Sequence, residues 1–431
     1  MNNPKPAASG TGASRENTLG LISWALYDWA NSAFPTLIQT FVFAAYFTRQ
    51  VAKDEATGTA LWGNATSLAG LIIAITAPVL GALTDQTGRR KPWMAAFTGL
   101  CIVTTALLWF VEPASANVAF ALGMVVLGTI GVELAMIFYN AMLPGLASVE
   151  RIGRWSGWGW GLGYIGGLAC LVTALFGFVS ENPWFPLDRG SAQHVRATFL
   201  RVSGWFLVFS LPLFLFTPDV PASRKPFGIA LKDGLQQLVN TFRKAREHSS
   251  LIWFLVAHMI FIDGLATLFA FGGVYAAGTF DMSEMDVLKF GIVLNISAGI
   301  GAVGFAFVDD RIGGKQTILI SLAGLLVSTI LMLSVREVAW FWWLGVLLGL
   351  FVGPVQAASR SYLARTAPVH LRNESFGLFA FSGKATAFLG PLLVGWVTYA
   401  SGSQRIGIGT ILLFFIIGFV MMLRARSDSV R

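Results

Sequence analysis

Three acids, Asp28, Glu133 and Asp263, and two bases, Arg360 and Lys384, fall within stretches that are otherwise apolar. A charge at membrane depth is costly unless it faces a partner or water, so such residues mark a path for solutes or protons. Asp28 lies in the run Leu21 to Phe47, and Asn31, three residues on, shares its helix face. One turn later Pro35 lacks the N–H that a regular helix needs, which permits a kink and turns this face towards a cavity. Glu133 sits mid-run, and a seven-residue step puts Asn140 on the same face two turns away. Ionisation is penalised away from water, so Glu133 is the first candidate to carry a coupling proton and Asp28 the second; a permanent ion pair is the alternative for Glu133. Lys384 needs a carboxylate or water at its depth, and Asp28, Glu133 and Asp263 are the acids on offer, for a switchable or a permanent pair. Gln356 and Arg360 share one stretch, where Arg360 either binds an anionic group of a solute or anchors at lipid headgroups.

The elements that carry these residues follow from composition. With 431 residues, 55% hydrophobic and 12% charged, and a mean hydropathy of +0.67, the chain has too little polar surface for a soluble globule. The apolar runs reach the ~20 residues that cross a bilayer as helix, whereas a membrane barrel would show ~10-residue alternating strands. The expectation is an all-α integral membrane protein with twelve spans: 21–48, 60–84, 93–112, 117–143, 155–179, 199–217, 250–278, 287–308, 316–335, 338–363, 374–400 and 405–424. Most of the 30 Lys and Arg then fall on the side of both termini, which places that side in the cytosol and the protein in the cell (inner) membrane. This loop bias accounts for the net charge of +8 without nucleic-acid binding. The polar start, 1–20, reads as a cytosolic tail rather than a signal peptide, and 425–431 as a second tail.

Between six-span halves at 21–217 and 250–424 lies the longest polar stretch, 218–249, a basic linker. Apolar residues recur at helical spacing from Ile229 to Arg243, which predicts an amphipathic helix on the inner membrane surface. Cys101 and Cys170 make neither a disulfide framework nor a metal site, and His194, His248, His258 and His370 are scattered, with His258 read as packing. No nucleotide-binding P-loop spacing is present in the sequence. No cofactor, metal or enzymatic activity is therefore expected. Gly159, Gly163 and Gly167 share one face for close helix packing, and Trp155, Trp158 and Trp160 read as membrane-interface anchors.

The two halves echo each other. Gly81-Ala-Leu-Thr-Asp85-Gln-Thr-Gly88-Arg89-Arg90 follows span two, and Asp310-Arg-Ile-Gly313-Gly-Lys315 follows span eight, while Asp28 in span one is matched by Asp263 in span seven. Glycines allow tight turns, Asp85 can accept from helix-end amides or a base, and the basic residues hold the loop at the inner face, an arrangement able to latch a gate. The second copy lacks the double Arg and has Asp309 beside Asp310, which weakens the expectation there.

The loop at 81–90 resembles the signature loop of the major facilitator superfamily. Tyr27-Asp28-Trp29-Ala30-Asn31-Ser32, Phe138-Tyr139-Asn140-Ala141-Met142-Leu143-Pro144 and Gly383-Lys384 through Gly390-Pro391 are similar to the branch of fungal vacuolar amino-acid effluxers and their bacterial relatives, over residues 20–425. The resemblance implies two pseudo-symmetric six-helix halves with spans one, four, seven and ten around a central cavity, which gathers Asp28, Glu133, Asp263, Gln356 and Arg360 there. Asn31, Asn140 and Lys384 complete the candidate solute-binding set. It further implies a monomeric secondary transporter that moves a small polar solute by alternating access, with a proton or other ion as coupling partner. Amino acids are the leading solute class through the fungal members; a non-transporting receptor or lipid-handling protein on the same fold is the alternative.

Overall fold

The computed structural model describes residues 17–53, 55–180, 182–223, 225–243, 249–282 and 284–426, so most of both expected tails, and 244–248 of the linker, lie outside the described residues. Every element is helical: α1 (Thr18–Asn31), α2 (Glu55–Thr87), α3 (Lys91–Leu107), α4 (Val118–Leu146), α5 (Ile152–Ala174) and α6 (Gln193–Phe216) make the first half. The linker forms α7 (Phe227–Arg243). The second half comprises α8 (Ser249–Phe280), α9 (Glu284–Ile312), α10 (Gly314–Ser334), α11 (Val338–Thr366), α12 (Arg372–Ser382), α13 (Leu389–Ser401) and α14 (Ile411–Arg424). Among the described residues ten helices are long and apolar enough to cross a membrane.

The other two expected spans, 21–48 and 374–400, are interrupted, and each carries candidate chemistry. After α1 the chain widens into π-helical turns at Phe34–Phe41 and Phe47–Val51, starting where Pro35 has no N–H to give. Such widened turns inside helices recur at functional sites. Between α12 and α13, residues 383–388 form tight turns in which Lys384 N–H donates to the Phe381 carbonyl (3.0 Å). Lys384 thus projects from a break, not from a continuous helix.

At the end of the bundle that holds the termini, several helices outrun their expected spans: α2 continues to Thr87, α9 to Ile312 and α11 to Thr366. A reading by hydropathy stops where charge begins, whereas these charged last turns are held by partners. Gly88 and Gly313 then reverse the chain at φ +86° and +91°, a region open to glycine at little steric cost. The expected linker helix is present and rests one face on the first half. Gly234 of α7 abuts the Ala82–Leu83 backbone of α2, Ala230 is fully buried, and Gln86 Nε2 donates to Gln237 Oε1 (2.6 Å). One face of the helix is thus packed on protein, while Ile229, Leu235 and Val239 stay exposed.

Candidate functional site

The glycines of α5 bring the two halves together. Gly159, Gly163 and Gly167 lie against Asp28, Ser32 and Thr36 of the first span, four residues apart on each side, while Gly153, Gly157 and Gly161 meet Asp309, Ala306 and Val303 of α9. With no Cβ on either face, α5 can approach both halves at once. A Cβ on Gly159 would stand 2.5 Å from Asp28 Oδ2 and 2.8 Å from Arg360 Nη2. Gly159→Ala is accordingly expected to cost about 1–3 kcal/mol through overpacking. Gly123→Ala, where a Cβ meets open space, is the near-neutral comparison; thermal unfolding of the two purified proteins checks this.

Behind Gly159 sits a buried ion pair between the halves. Arg360 of α11, 2% exposed, donates from Nη1 to Asp28 Oδ2 (2.9 Å) and to Asn140 Oδ1 (3.4 Å). Its Nε donates to Ser156 Oγ (2.9 Å) and its Nη2 to the Ser156 carbonyl (2.5 Å). Asp28 also accepts from the Tyr139 hydroxyl (2.8 Å) and from Asn31 Nδ2 (3.4 Å). Trp24, Tyr139 and Trp160 present ring faces 4.9–5.7 Å from the guanidinium carbon, which favours the cation further. Arg360 is therefore enclosed by protein and does not serve as a headgroup anchor. The pair is fully hydrogen-bonded, the condition under which a buried charge pair is tolerable.

A second bridge joins the halves from α4 to the break after α12: Lys384 Nζ lies 2.7 Å from Glu133 Oε1, with side chains 32% and 31% exposed. Of the three acids on offer, Lys384 takes Glu133. Unlike the Arg360 pair, this one is only partly buried. Asp263 of α8, 2% exposed, has no hydrogen-bond partner among the described residues for either carboxylate oxygen, and a Cβ on Gly390, at the start of α13, would lie 3.0 Å from its Oδ1. His258 is a packing residue, its Nδ1 2.8 Å from Ser382 Oγ and its ring 4.1 Å from that of Phe379.

The terminal end is closed by two related contacts. Asp85 of α2 accepts from the N–H groups of Asn373 (3.0 Å) and Glu374 (2.8 Å), at the start of α12. Asp310 of α9 accepts from the Arg154 N–H (3.0 Å), at the start of α5, and pairs with Arg154 Nε (3.3 Å). Each half thus offers a carboxylate to a helix N-terminus of the other, where unpaired amides and the helix dipole favour a negative charge. Around the first contact Arg90 Nε donates to Asn373 Oδ1 (2.7 Å), and Gly81 leaves room for the Asn373 carbonyl. Burial pulls the Arg90 guanidinium down to about 10, opposed by the adjacent Asp85, so it keeps its charge near neutral pH. Around the second, Arg365 pairs with Asp309 (2.5 Å) and Asp310 (3.3 Å), and Ser361 donates to Asp309. The bases after each glycine also match: Lys91 Nζ donates to the Phe214 carbonyl (3.0 Å) at the end of α6, and Lys315 Nζ to the Leu423 carbonyl (2.9 Å) at the end of α14. Arg89 is exposed.

Beyond the Arg360–Asp28 pair, away from the termini, the halves part around a cavity of about 440 Å³. Phe41, Trp160, Phe269 and Phe290 supply ring surface, and Thr36, Tyr164, Asn295 and Gln356 supply polar groups. At its floor Gln356 Nε2 donates to the Tyr164 hydroxyl (2.9 Å), across the halves. Of the sequence-derived solute candidates only Gln356 lines this cavity; Asp28, Asn31, Asn140 and Arg360 form the plug beneath it, and Asp263 and Lys384 stand beside the α12–α13 break. Trp160 lines the cavity, and Trp155 is buried and packed on Trp158, so those two are not interface anchors. Tyr139, Ser156, Asn373 and Arg365 were not singled out: none is a charge at mid-membrane, and their roles come from what stands opposite. Tyr139 sits in a motif that pointed only to its neighbour Asn140.

Two helical halves with signature loops at one end and a cavity between them at the other define a transporter of the major facilitator superfamily. The chain belongs to the family described as vacuole effluxer Atg22 like, whose model matches residues 59–430. It is 26% identical over 404 residues to an uncharacterized MFS-type transporter, YxiO, of Bacillus subtilis, covering 93% of each chain. It is 24% identical over 278 residues to autophagy-related protein 22 of Saccharomyces cerevisiae, covering 56% of this chain and 51% of that one, so it spans about half the length of this fungal relative. Among solved structures, the human organic anion transporter MFSD10 (TETRAN) superposes with a TM-score of 0.70 at 17% identity, covering 95% of this chain and 99% of that one. The Escherichia coli fucose:proton symporter FucP gives 0.70 at 13%, covering 96% and 100%. This likeness establishes the fold.

Proposed function

We propose that this multi-pass membrane protein is a monomeric secondary active transporter of the inner membrane, with both termini in the cytosol, that moves a small solute by rocking its two halves about a central site. The observation that carries this reading is the asymmetry of the interface between the halves: paired carboxylate-to-helix contacts at the terminal end, and a cavity of about 440 Å³ beyond the Arg360–Asp28 plug. That is the arrangement of an outward-facing state, in which the cytosolic gate is latched. The family resemblance puts amino acids first among solutes to be tried, and no chemistry is done on the solute.

Coupling is assigned to Glu133 and Lys384. Their pair spans the halves and is only partly buried, and the Lys projects from a helix break that can reorganise. A proton taken by Glu133 removes the charge that holds Lys384 and weakens the bridge, so protonation and rocking become linked. Asp28 is the weaker candidate, because its charge is held by Arg360 and Tyr139. In proteoliposomes, Glu133→Gln is expected to abolish accumulation driven by a pH gradient while downhill exchange of the same solute persists. Unchanged ΔpH-driven accumulation would remove Glu133 from the coupling role, and no concentrative flux of any solute from a metabolite panel would remove the transport reading.

A further inference from the structure

The cavity's wall chemistry narrows the solute. Among the described residues no charged side chain lines it. The nearest charges are already committed: every donor nitrogen of Arg360 is bonded to Asp28, Asn140 or Ser156, and Asp28 is filled by Arg360, Tyr139 and Asn31. Trp160 stands between, lining the cavity while its ring lies 5.7 Å from the guanidinium. A carboxylate or ammonium held there would lose hydration with no counter-charge in return.

What the wall offers is ring surface and uncharged donors. Trp160 lines the cavity, and its Nε1, buried and without a partner among the described residues, needs only a small turn of the ring to meet a solute acceptor. The Tyr164 hydroxyl accepts from Gln356 and so keeps its own hydrogen to give. Asn295 uses its amide on the Gly291 carbonyl (2.8 Å), which leaves its oxygen as the complementary acceptor. The volume suits one small organic molecule.

Resting on the transport reading above, the geometry points to an uncharged, ring-bearing solute that presents hydrogen-bond acceptors to Trp160 and Tyr164, in place of a free amino-acid zwitterion or an organic ion. The proposal deepens that reading by naming the solute class, and it departs from the amino-acid expectation.

One indole ring in four charge states tests it: N-acetyl-L-tryptophanamide (uncharged), L-tryptophan (zwitterion), N-acetyl-L-tryptophan (anion) and tryptamine (cation). Binding to the purified full-length protein in detergent is measured by equilibrium dialysis of radiolabelled probes. The amide is expected to bind about tenfold or more tightly than the other three, the size of one poorly compensated polar group. Gly272→Trp is expected to abolish this binding, since Gly272 lines the cavity and has open space at its Cβ position. Trp160→Phe is expected to weaken the amide several-fold with little change in Tm. Tighter binding of the zwitterion or either ion, amide binding that survives Gly272→Trp, or no binding of any of the four overturns the assignment. Flux measured separately keeps the two readings apart. Amide binding without transport of any solute sinks the transporter and leaves the cavity chemistry standing, whereas transport with zwitterion-selective binding does the reverse.

Discussion

Asp28→Asn is expected to lower the stability of the folded protein by about 3–5 kcal/mol, the cost of leaving one member of a buried ion pair without its partner. The guanidinium of Arg360 is 2% exposed, so it must keep its charge mainly against three aromatic rings and neutral hydrogen-bond acceptors. The amide can still accept from Tyr139, which means the loss is one of charge and not of shape. Replacing both partners by apolar residues of similar bulk, Asp28→Leu with Arg360→Met, is expected to recover most of that stability, because the desolvation penalty of the pair disappears with it. Transport should not recover. The pair crosses from the first span to α11, and a plug that can open only by separating two charges is a different barrier from a greasy one. Thermal unfolding and solute flux, read together on the single and double variants, check this. An Asp28→Asn protein with unchanged unfolding would mean that the charge of Arg360 is balanced by another group.

How far such contacts were legible beforehand depended on what each residue could reveal alone. The apolar runs located the ten helices long enough to cross a membrane, because crossing is a property of a local window, but not the breaks in the other two runs. The glycines and bases around Asp85 marked it as a contact point at the terminal end, and the same spacing at 310–315 marked the matching one. Lys384 demanded a carboxylate, and the list of three contained the right one. The list could not be shortened, because Glu133 and Lys384 are brought together by the packing of two halves and no local pattern encodes that register. The Arg360–Asp28 pair, 332 residues apart, was out of reach for the same reason: Arg360 falls near a helix end, where hydropathy reads as an anchor. The cavity wall was the least legible part. Aromatic residues occur in eleven of the twelve expected spans, and only the fold distinguishes Trp160, which lines the cavity, from the rings elsewhere. The assignment of solute contacts to charged residues followed from their rarity, yet the walls of the cavity turned out to be neutral.

The two carboxylate latches should act as one gate. Asp85→Asn or Asp310→Asn removes the charge from hydrogen bonds to helix N-termini, worth about 1.5–3 kcal/mol apiece, and each is expected to move the balance towards the state open at the terminal end by about tenfold to a hundredfold. The contacts lie at separate interfaces, α2 with α12 and α9 with α5, so neither variant directly disturbs the other's hydrogen bonds. If both break in the same rocking step, their free energies add and the double variant shifts the equilibrium by the product of the two factors. A cysteine placed at Asn295, on the cavity wall, reports the population through its reaction with a membrane-impermeant maleimide added from outside. Cys101 and Cys170 are buried and give little background. Labelling should fall in each single variant and fall further in the double. Unchanged labelling in the double variant would mean that the terminal end is held shut by the Arg360 plug alone. A labelling loss no greater in the double than in either single variant would mean that one latch already depends on the other. The matched geometry of the two contacts argues for additivity: each pairs a carboxylate from one half with the start of a helix from the other, and each follows from the same short motif repeated in the chain.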